Sequence, residues 1–227
     1  MIITIDGPAG AGKSTVAKSL ARCLSISYLD TGAMYRALTL KALREKVDLE
    51  DEQALVALGE KTDILLEGTD PSALKVYVDG DDVSEEIRSQ EVTNATFHIA
   101  RAPKVREIMV QWQRQIAQNT DVVIEGRDIG TVVFPEAKYK FYLDADFEQR
   151  ATRRIKELRD KGQSVEDDKL KKDLRERDTK DFTRQVGPLK KAEDAIVIDS
   201  THLSVEEVIE KILERINIAR PDKENLS

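Results

Sequence analysis

The sequence predicts an α/β fold in which a five-stranded parallel sheet is covered by helices on both faces. Short apolar stretches alternate with segments of helical periodicity, and five of these stretches end at or just before an acidic residue. The first of them runs directly into a glycine-rich turn. Alternating strands and helices are typical of parallel sheets with crossover helices. Because ligands bind at the carboxyl ends of such strands, the acids indicate the edge that carries the site.

The strands of this sheet can be placed in chain order from their apolar stretches. They are predicted at 1–6, 28–30, 122–125, 139–143 and 195–199. The acids at their carboxyl ends are Asp6, Asp30, Glu125, Asp144 and Asp199. A second, small antiparallel sheet is predicted from the alternating segments 64–67 and 75–79, which glycine and proline turns separate.

Helical periodicity fills the remaining chain. Helices are predicted at 12–24, through Met34, Leu38 and Leu43, at 51–61, and from about 84 to 118 with a break at Pro103. Two helices with a turn at Lys161-Gly162 are predicted within 146–180. The capping box Ser204-Val-Glu-Glu207 begins the last helix, and 219–227 is predicted to be a frayed tail.

The composition is that of a globular protein with an acidic surface. The chain has 227 residues, of which 40% are hydrophobic and 35% charged, and its net charge is −7. Proteins that bind long nucleic acid usually have the opposite charge balance, so no such partner is expected. Any phosphate must therefore be bound in a local basic pocket. The single cysteine, Cys23, falls on the buried stripe of a helix and excludes disulfides.

Nothing in the sequence indicates a membrane or export. No apolar run approaches the roughly 20 residues needed to span a bilayer, and the first residues, Met1-Ile-Ile-Thr-Ile-Asp6, have no basic region before an apolar one. We therefore expect a cytoplasmic protein without a membrane partner, and a monomer.

A phosphate-binding loop follows the first predicted strand. Residues 7–14 match G-x-x-x-x-G-K-[ST] between a strand and a helix, as the P-loop motif requires. Glycines allow backbone N–H groups to surround a phosphate, and the helix N-terminus adds its positive dipole end. Lys13 is predicted to contact the β- and γ-phosphates from the rim of the site, and Ser14 to ligate Mg²⁺. The residues predicted to bind ATP or GTP are Gly7, Pro8, Ala9, Gly10, Ala11, Gly12, Lys13, Ser14 and Thr15.

Arginines downstream are suited to a phosphate acceptor and to the migrating phosphoryl group. Arg36 and Arg127 each come shortly after a predicted strand end. Arg150, Arg153 and Arg154 have the i, i+3, i+4 spacing that places three guanidinium groups on one helix face. Further along the chain lie Arg175, Arg177 and Arg184. Arginine is always charged and can donate to two phosphate oxygens at once. The alternative for the 150–154 group is a solvated helix with surface ion pairs, since Glu148, Glu157 and Asp160 are near.

Four stretches together resemble the bacterial cytidylate kinases, a branch of the nucleoside monophosphate kinases. They are 5–14, 29–36, 126–135 and 175–184, and the segment Gly126-Arg-Asp-Ile-Gly-Thr-Val-Val133 is more specific than the P-loop. The resemblance implies a P-loop NTPase fold with three parts. The core comprises 1–30, 111–145 and 186–227; the acceptor-binding region comprises 31–110 and contains the small sheet; an arginine-rich helical lid comprises 146–185.

The resemblance also implies roles for individual residues. Arg36 and Arg127 are expected to bind the acceptor phosphate, with Thr31 beside them and Arg184 as a further contact from the lid. Arg106 and Asp128 are similar to the pair that contacts the cytosine edge, and Arg177 and Asp181 to the sugar contacts. The residues expected to act in catalysis are Lys13, Arg127, Arg150, Arg154 and Arg184. Two positions depart from the family pattern: Phe97 stands where a small hydroxyl residue is common, and Glu125 where an aspartate is frequent.

The expected reaction is ATP + CMP → ADP + CDP with Mg²⁺, and dCMP is a second expected acceptor. The same fold could instead act on UMP, AMP or a small metabolite such as shikimate. A GTPase-like switch is the alternative of another class, and it should carry the guanine-binding motif N-K-x-D. None of the four asparagines is followed by lysine. The two histidines, His98 and His202, have no ligand partners at useful spacing and are interpreted as structural.

Overall fold

The computed structural model describes residues 1–68, 71–160, 162 and 164–217, and it contains both predicted sheets. The strands are β1 (Ile2–Asp6), β2 (Ser27–Asp30), β3 (Ile64–Glu67), β4 (Lys75–Val78), β5 (Asp81–Asp82), β6 (Val122–Gly126), β7 (Tyr139–Asp144) and β8 (Ile196–Asp199). Five of them form one parallel sheet in the order β2-β6-β1-β7-β8, and β3-β4-β5 form the small antiparallel sheet. The predicted fold class is therefore confirmed.

The register of the large sheet brings the predicted acids to one edge. Asp30 lies beside Glu125 in the β2–β6 pair, and Ile5 lies beside Glu125 in the β1–β6 pair. On the other side, Asp144 of β7 lies beside Asp199 of β8. The carboxyl ends of β1, β2 and β6 therefore face the loop that follows β1, which is the P-loop.

The helices follow the predicted positions closely. They are α1 (Lys13–Leu24), α2 (Thr31–Arg44), α3 (Glu52–Gly59), α4 (Gln90–Arg101), α5 (Pro103–Ile116), α6 (Phe147–Asp160), α7 (Asp167–Thr183) and α8 (Val205–Ile216). The predicted break is present, because Ala102 separates α4 from α5 and Pro103 occupies the first position of α5. The Ser204–Glu207 capping box is formed at the start of α8.

Two apolar clusters cover the two faces of the sheet. On one face, α1 and α8 pack against β1 and β7, through residues that include Ile5, Leu20, Phe141 and Ile212. On the other face, α2 and α5 pack against β2 and β6, through residues that include Leu29, Leu38, Met109 and Ile124. A parallel sheet buried on both faces explains why its strands are continuous apolar runs.

Two local features were not predicted. Strand β5 consists of two exposed aspartates, which have low strand propensity, and it forms only because β4 offers it an unpaired edge. Residues Ile129–Val133 form a single π-helical turn in which the N–H of Phe134 donates to the carbonyl of Ile129 at 2.7 Å. The predicted tail, 219–227, and Lys161 of the predicted turn lie outside the described residues, while Gly162 has φ +73°.

In the part of the chain that the structure describes, no helix is both long enough and apolar enough to cross a membrane.

Candidate active site

The P-loop depends on glycine where backbone approaches backbone. A Cβ on Gly7, whose φ is +148°, would lie 2.0 Å from the carbonyl oxygen of Leu143 in β7. Gly12 precedes α1 in a left-handed conformation, and no side-chain oxygen caps the helix. The first N–H groups of α1 are therefore not used by a side-chain cap and can bind an anion, as in other helix N-termini that bind phosphate.

Lys13 is buried, which corrects the prediction of a rim position. Its side chain is only 6% exposed, and Nζ donates to the carbonyl of Pro8 at 2.7 Å. Burial and the nearby guanidinium of Arg127 lower the pKa of Lys13, although Glu125 acts in the opposite direction. A phosphate oxyanion beside Nζ would stabilise the charged ammonium group, because a nearby negative charge favours the protonated form of lysine.

A buried carboxylate lies next to the P-loop serine. Glu125, at the end of β6, accepts a hydrogen bond at 2.5 Å from the phenol of Tyr28. The hydroxyl of Ser14 lies close enough to the carboxylate to lower its pKa. The pKa of Glu125 is nevertheless raised by burial and by Asp30. Thr31 fixes the backbone here, since its Oγ1 donates to the carbonyl of Glu125 at 2.7 Å.

These oxygens fit Mg²⁺, which prefers hard oxygen ligands and binds through one or two protein groups plus substrate phosphates. Ser14 is exposed, as a ligand to a nucleotide-bound metal must be, and Glu125 is the carboxylate beside it. Among residues 1–68, 71–160, 162 and 164–217, no group of three or more histidine, cysteine, aspartate or glutamate side chains could hold a metal by itself. This ligand set therefore suits a metal that arrives with its nucleotide.

Several arginines meet beside Lys13. Arg127 donates through Nε to Oδ2 of Asp181 in α7 at 2.8 Å, and the charge of Arg127 reaches Lys13. Arg36 donates to Asp30 at 3.2 Å, and its Nε is buried without a hydrogen-bond partner. Burial and Arg127 lower the pKa of Arg177 to about 10. The positive charges in this cluster thus outnumber the carboxylates that pair with them, as expected of a site that binds an anion.

Asp181 belongs to this cluster from the side of α7. Burial alone would raise the pKa of its carboxyl, but Arg127 and Arg177 lower it below its usual value. The predicted sugar contacts, Arg177 and Asp181, and the predicted phosphate contacts, Arg36 and Arg127, are therefore in one electrostatic group.

A second buried pair is connected to this cluster through Arg184, which approaches both Asp181 and Asp128. Arg106 of α5 donates from Nη2 to Oδ2 of Asp128, and both side chains are almost completely buried. Arg184 approaches the other carboxylate oxygen at 3.5 Å. The hydroxyl of Tyr35 and Nε of Arg106 are buried in the same region without partners. The site therefore offers the Asp128 carboxylate as an acceptor, the Arg106 guanidinium as a donor and the Tyr35 hydroxyl, which together could recognise a planar polar group.

The turn 184–187 covers this pair closely. A Cβ on Gly187, whose φ is +56°, would lie 2.2 Å from both Nη2 of Arg106 and Oδ2 of Asp128. Arg184 closes the turn by donating from Nε to the carbonyl of Gly187. Glycine is thus required for this approach of the backbone to the Arg106–Asp128 pair.

The three arginines predicted to share one face of α6 contact different partners. Arg150 is buried and donates to the carbonyls of Ala9 and Ala145 and, at 2.6 Å, to Asp178. Arg153 donates to Ser200, and Arg154 pairs with Glu157 at 2.6 Å. Each guanidinium therefore has a different local partner, although all three arginines lie on α6, as their spacing predicted. Arg154 still lies close enough to affect the pKa of Arg177.

The sequence-based search missed some residues of this site. Tyr28 carries a signal that could have been used, because it precedes Asp30 by two residues and so shares its face of β2. Asp6 accepts from the N–H groups of Ile129 and Gly130 at 2.9 and 2.8 Å and so shapes the turn after Asp128. The role of Gly187 depends on a contact that no local pattern encodes.

Comparison with known proteins identifies the family. The family model described as cytidylate kinase matches residues 3–218. A cytidylate kinase of Caldanaerobacter subterraneus subsp. tengcongensis is 50% identical over 214 residues, which are 94% of this chain and 93% of that protein. A cytidylate kinase of a Geobacillus species is 54% identical, over 95% of this chain and 96% of that protein. A cytidylate kinase of an Enterobacter species is 48% identical, over 94% of this chain and 93% of that protein. The chain therefore belongs to the cytidylate kinase family.

Proposed function

We propose that this chain transfers the γ-phosphoryl group of ATP to CMP, giving ADP and CDP. The observation that carries the proposal is a continuous series of charged side chains that starts at Lys13 of the P-loop. From Lys13 it runs through Arg127, Asp181 and Arg184 to the buried Arg106–Asp128 pair. This order matches a donor triphosphate, an acceptor phosphate and a base. Membership of the cytidylate kinase family supports the same assignment.

The donor end is proposed to bind the triphosphate through residues 7–15. N–H groups of the loop and of the first turn of α1 surround the phosphates, and Lys13 neutralises the β- and γ-phosphates. Mg²⁺ bound with ATP would neutralise charge on the transferring phosphate and help to align it. Ser14 is the proposed ligand, and Glu125 would orient the hydration water of the metal.

The acceptor phosphate is proposed to lie among Arg36, Arg127 and Arg184, with Thr31 at the start of α2. Each arginine can donate to two phosphate oxygens at once, and this would hold the attacking oxygen in line with the γ-phosphate of ATP. Asp181 supports Arg127 through the 2.8 Å bond and, with Arg177, is proposed to contact the sugar. No protein nucleophile is needed, since the acceptor phosphate attacks directly.

Base selection is proposed to depend on Asp128 and Arg106. The carboxylate of Asp128 would accept from the N4 amino group of cytosine, and the guanidinium of Arg106 would donate to N3 or O2. Uracil presents a carbonyl at C4, whose lone pairs would face those of Asp128. dCMP presents the same phosphate and the same base as CMP, so it is a second proposed acceptor.

The remaining assignments extend this function. The helices α6 and α7 are proposed to form a lid that excludes water during transfer, with Arg154 and Arg184 contributing charge on closure and Arg150 acting by holding the P-loop. The division into core, acceptor-binding region and lid, the monomeric state and a cytoplasmic location are proposed with it.

A panel of acceptors tests the proposal directly. The chain is incubated with ATP, Mg²⁺ and one of CMP, dCMP, UMP, AMP or GMP, and products are separated and quantified. CDP and dCDP should form with kcat/KM well above that for UDP, and chelation of Mg²⁺ should abolish turnover. Efficient conversion of UMP or AMP with little CDP would refute the assignment of the acceptor.

A further inference from the structure

We propose that Tyr28 is a positioning residue whose phenol holds the Glu125 carboxylate against the Ser14 hydroxyl, so that the carboxylate faces the Mg²⁺ of bound MgATP. The inference rests on the proposed function, because it assumes that MgATP binds at the P-loop.

The first step is the contact itself. Tyr28 donates from its hydroxyl to Oε1 of Glu125 at 2.5 Å, and both side chains are buried, at 7% and 4% exposure. A hydrogen bond to a charged acceptor is stronger than one between neutral groups, and burial removes competing water. Glu125 therefore has a strong partner within the protein.

The second step is the origin of this geometry in the sheet. In the β2–β6 pair, Tyr28 lies beside Val123, and Asp30 lies beside Glu125. Tyr28 and Glu125 are therefore offset by two residues, about 6.6 Å along the strands. A phenol side chain that leans along its strand spans this offset, whereas a shorter residue at 28 would not reach the carboxylate.

The third step is the consequence for the metal ligands. Glutamate has three rotatable side-chain bonds, and several cations lie close enough to attract it, including Lys13 and Arg127. Tyr28 donates to one carboxylate oxygen from the side of β2, and the Ser14 hydroxyl lies near the carboxylate on the side of the P-loop. Groups that orient metal ligands from outside are typically worth about 10- to 100-fold in metal affinity or activity. Glu125 is proposed to be such a group, through the hydration water of the metal, and Tyr28 acts by holding Glu125 in place.

Calorimetric binding tests the proposal without turnover. The dissociation constant of a non-hydrolysable ATP analogue is measured with saturating Mg²⁺ and with a chelator, and the ratio of the two reports the contribution of the metal. Tyr28→Phe should reduce this ratio by about 10-fold or more while leaving metal-free binding within about twofold. In a Glu125→Ala background, Tyr28→Phe should change the ratio little, because the group that it positions is absent.

A matched control removes a phenol elsewhere in the same sheet. Tyr139 lies at the start of β7, at the opposite end of the strands from the P-loop, and Tyr139→Phe should leave the ratio unchanged. Thermal melting of each variant measures stability separately. Equal weakening of metal-bound and metal-free binding by Tyr28→Phe, or lower stability with an unchanged ratio, would overturn the proposal, as would a wild-type ratio of one. Failure of the proposed function would appear differently, as wild-type protein that binds the analogue but forms no CDP.

Discussion

Asp128→Asn is the most informative single change, because it removes a charge from the proposed base pocket while keeping its shape. An alternative role for Asp128 is that it only orients its neighbour Arg127 through a salt bridge. In the structure, Arg127 pairs with Asp181 at 2.8 Å, and Asp128 is contacted by Arg106 and Arg184. Loss of the charge at 128 therefore leaves the partner of Arg127 in place, and the effect should concentrate at the base.

The expected magnitude follows from the hydrogen bond that is lost. A bond involving a charged group contributes about 1.5–3 kcal/mol, which corresponds to roughly 10- to 150-fold in kcat/KM for CMP. The asparagine can present either its oxygen or its NH₂ group to the ring, so UMP should lose less than CMP, and its NH₂ could donate to the C4 carbonyl. Because one oxygen remains to accept from Arg106, the variant should fold.

The assay compares kcat/KM for CMP and UMP in wild type and variant, with melting temperatures to confirm folding. Asp181→Asn is the matched control. It weakens the partner of Arg127, which is proposed to bind the phosphate common to all acceptors, so CMP and UMP should decline together. The same CMP/UMP ratio in Asp128→Asn and wild type would refute the base-recognition role.

Four further predictions concern the donor site, α6 and pH. Lys13→Ala should reduce kcat by roughly 10²- to 10³-fold in steady-state assays. It should cost little stability, because the ammonium group is unfavourably placed among cations. Near-normal activity would exclude the proposed contact of Lys13 with the phosphates of ATP. Arg154→Ala should lower kcat more than it raises KM. Arg150→Ala should instead lower the free energy of unfolding, measured in urea titrations, by about 3–5 kcal/mol, because the substitution leaves Asp178 buried and unpaired. Burial raises the pKa of Asp6 from 3.8 to about 6, so the folded chain retains a proton that the unfolded chain releases, and stability should fall as pH rises through this window. Asp6→Asn should flatten that fall, and an unchanged pH profile would contradict it.

Much of the fold was predictable because its signals are local. Each strand of the large sheet is a short apolar run, and the P-loop motif fixes a strand, a turn and a helix at once. The acids at strand ends were informative for the same reason, since parallel strands must bring Asp30 and Glu125 to one edge. The position of Arg106 and Asp128 as a buried pair agreed with the resemblance, but proximity across 22 residues could not be derived from spacing alone.

The features that escaped prediction depend on tertiary partners. Strand β5 has no strand propensity of its own, and the π-helical turn after Asp128 is held by the carboxylate of Asp6, more than a hundred residues earlier in the chain. Lys13 was expected at the rim because lysine is usually exposed. It is buried because the P-loop folds back to place the Pro8 carbonyl within 2.7 Å of its Nζ.

Arg150 shows most clearly why helical spacing does not by itself establish function. The i, i+3, i+4 rule correctly places Arg150, Arg153 and Arg154 near one another on α6. Their long side chains nevertheless extend to different partners. Arg150 selects the carbonyl of Ala9 at 2.9 Å and so connects the P-loop to α6, and its bond to Asp178 extends the connection to α7. A movement of α6 and α7 would therefore be transmitted to the loop that binds the phosphates. We therefore expect Arg150 to affect catalysis through the geometry of the P-loop. Arg154, which is partly exposed and near Arg177, is expected to act through its electrostatic field on the phosphates.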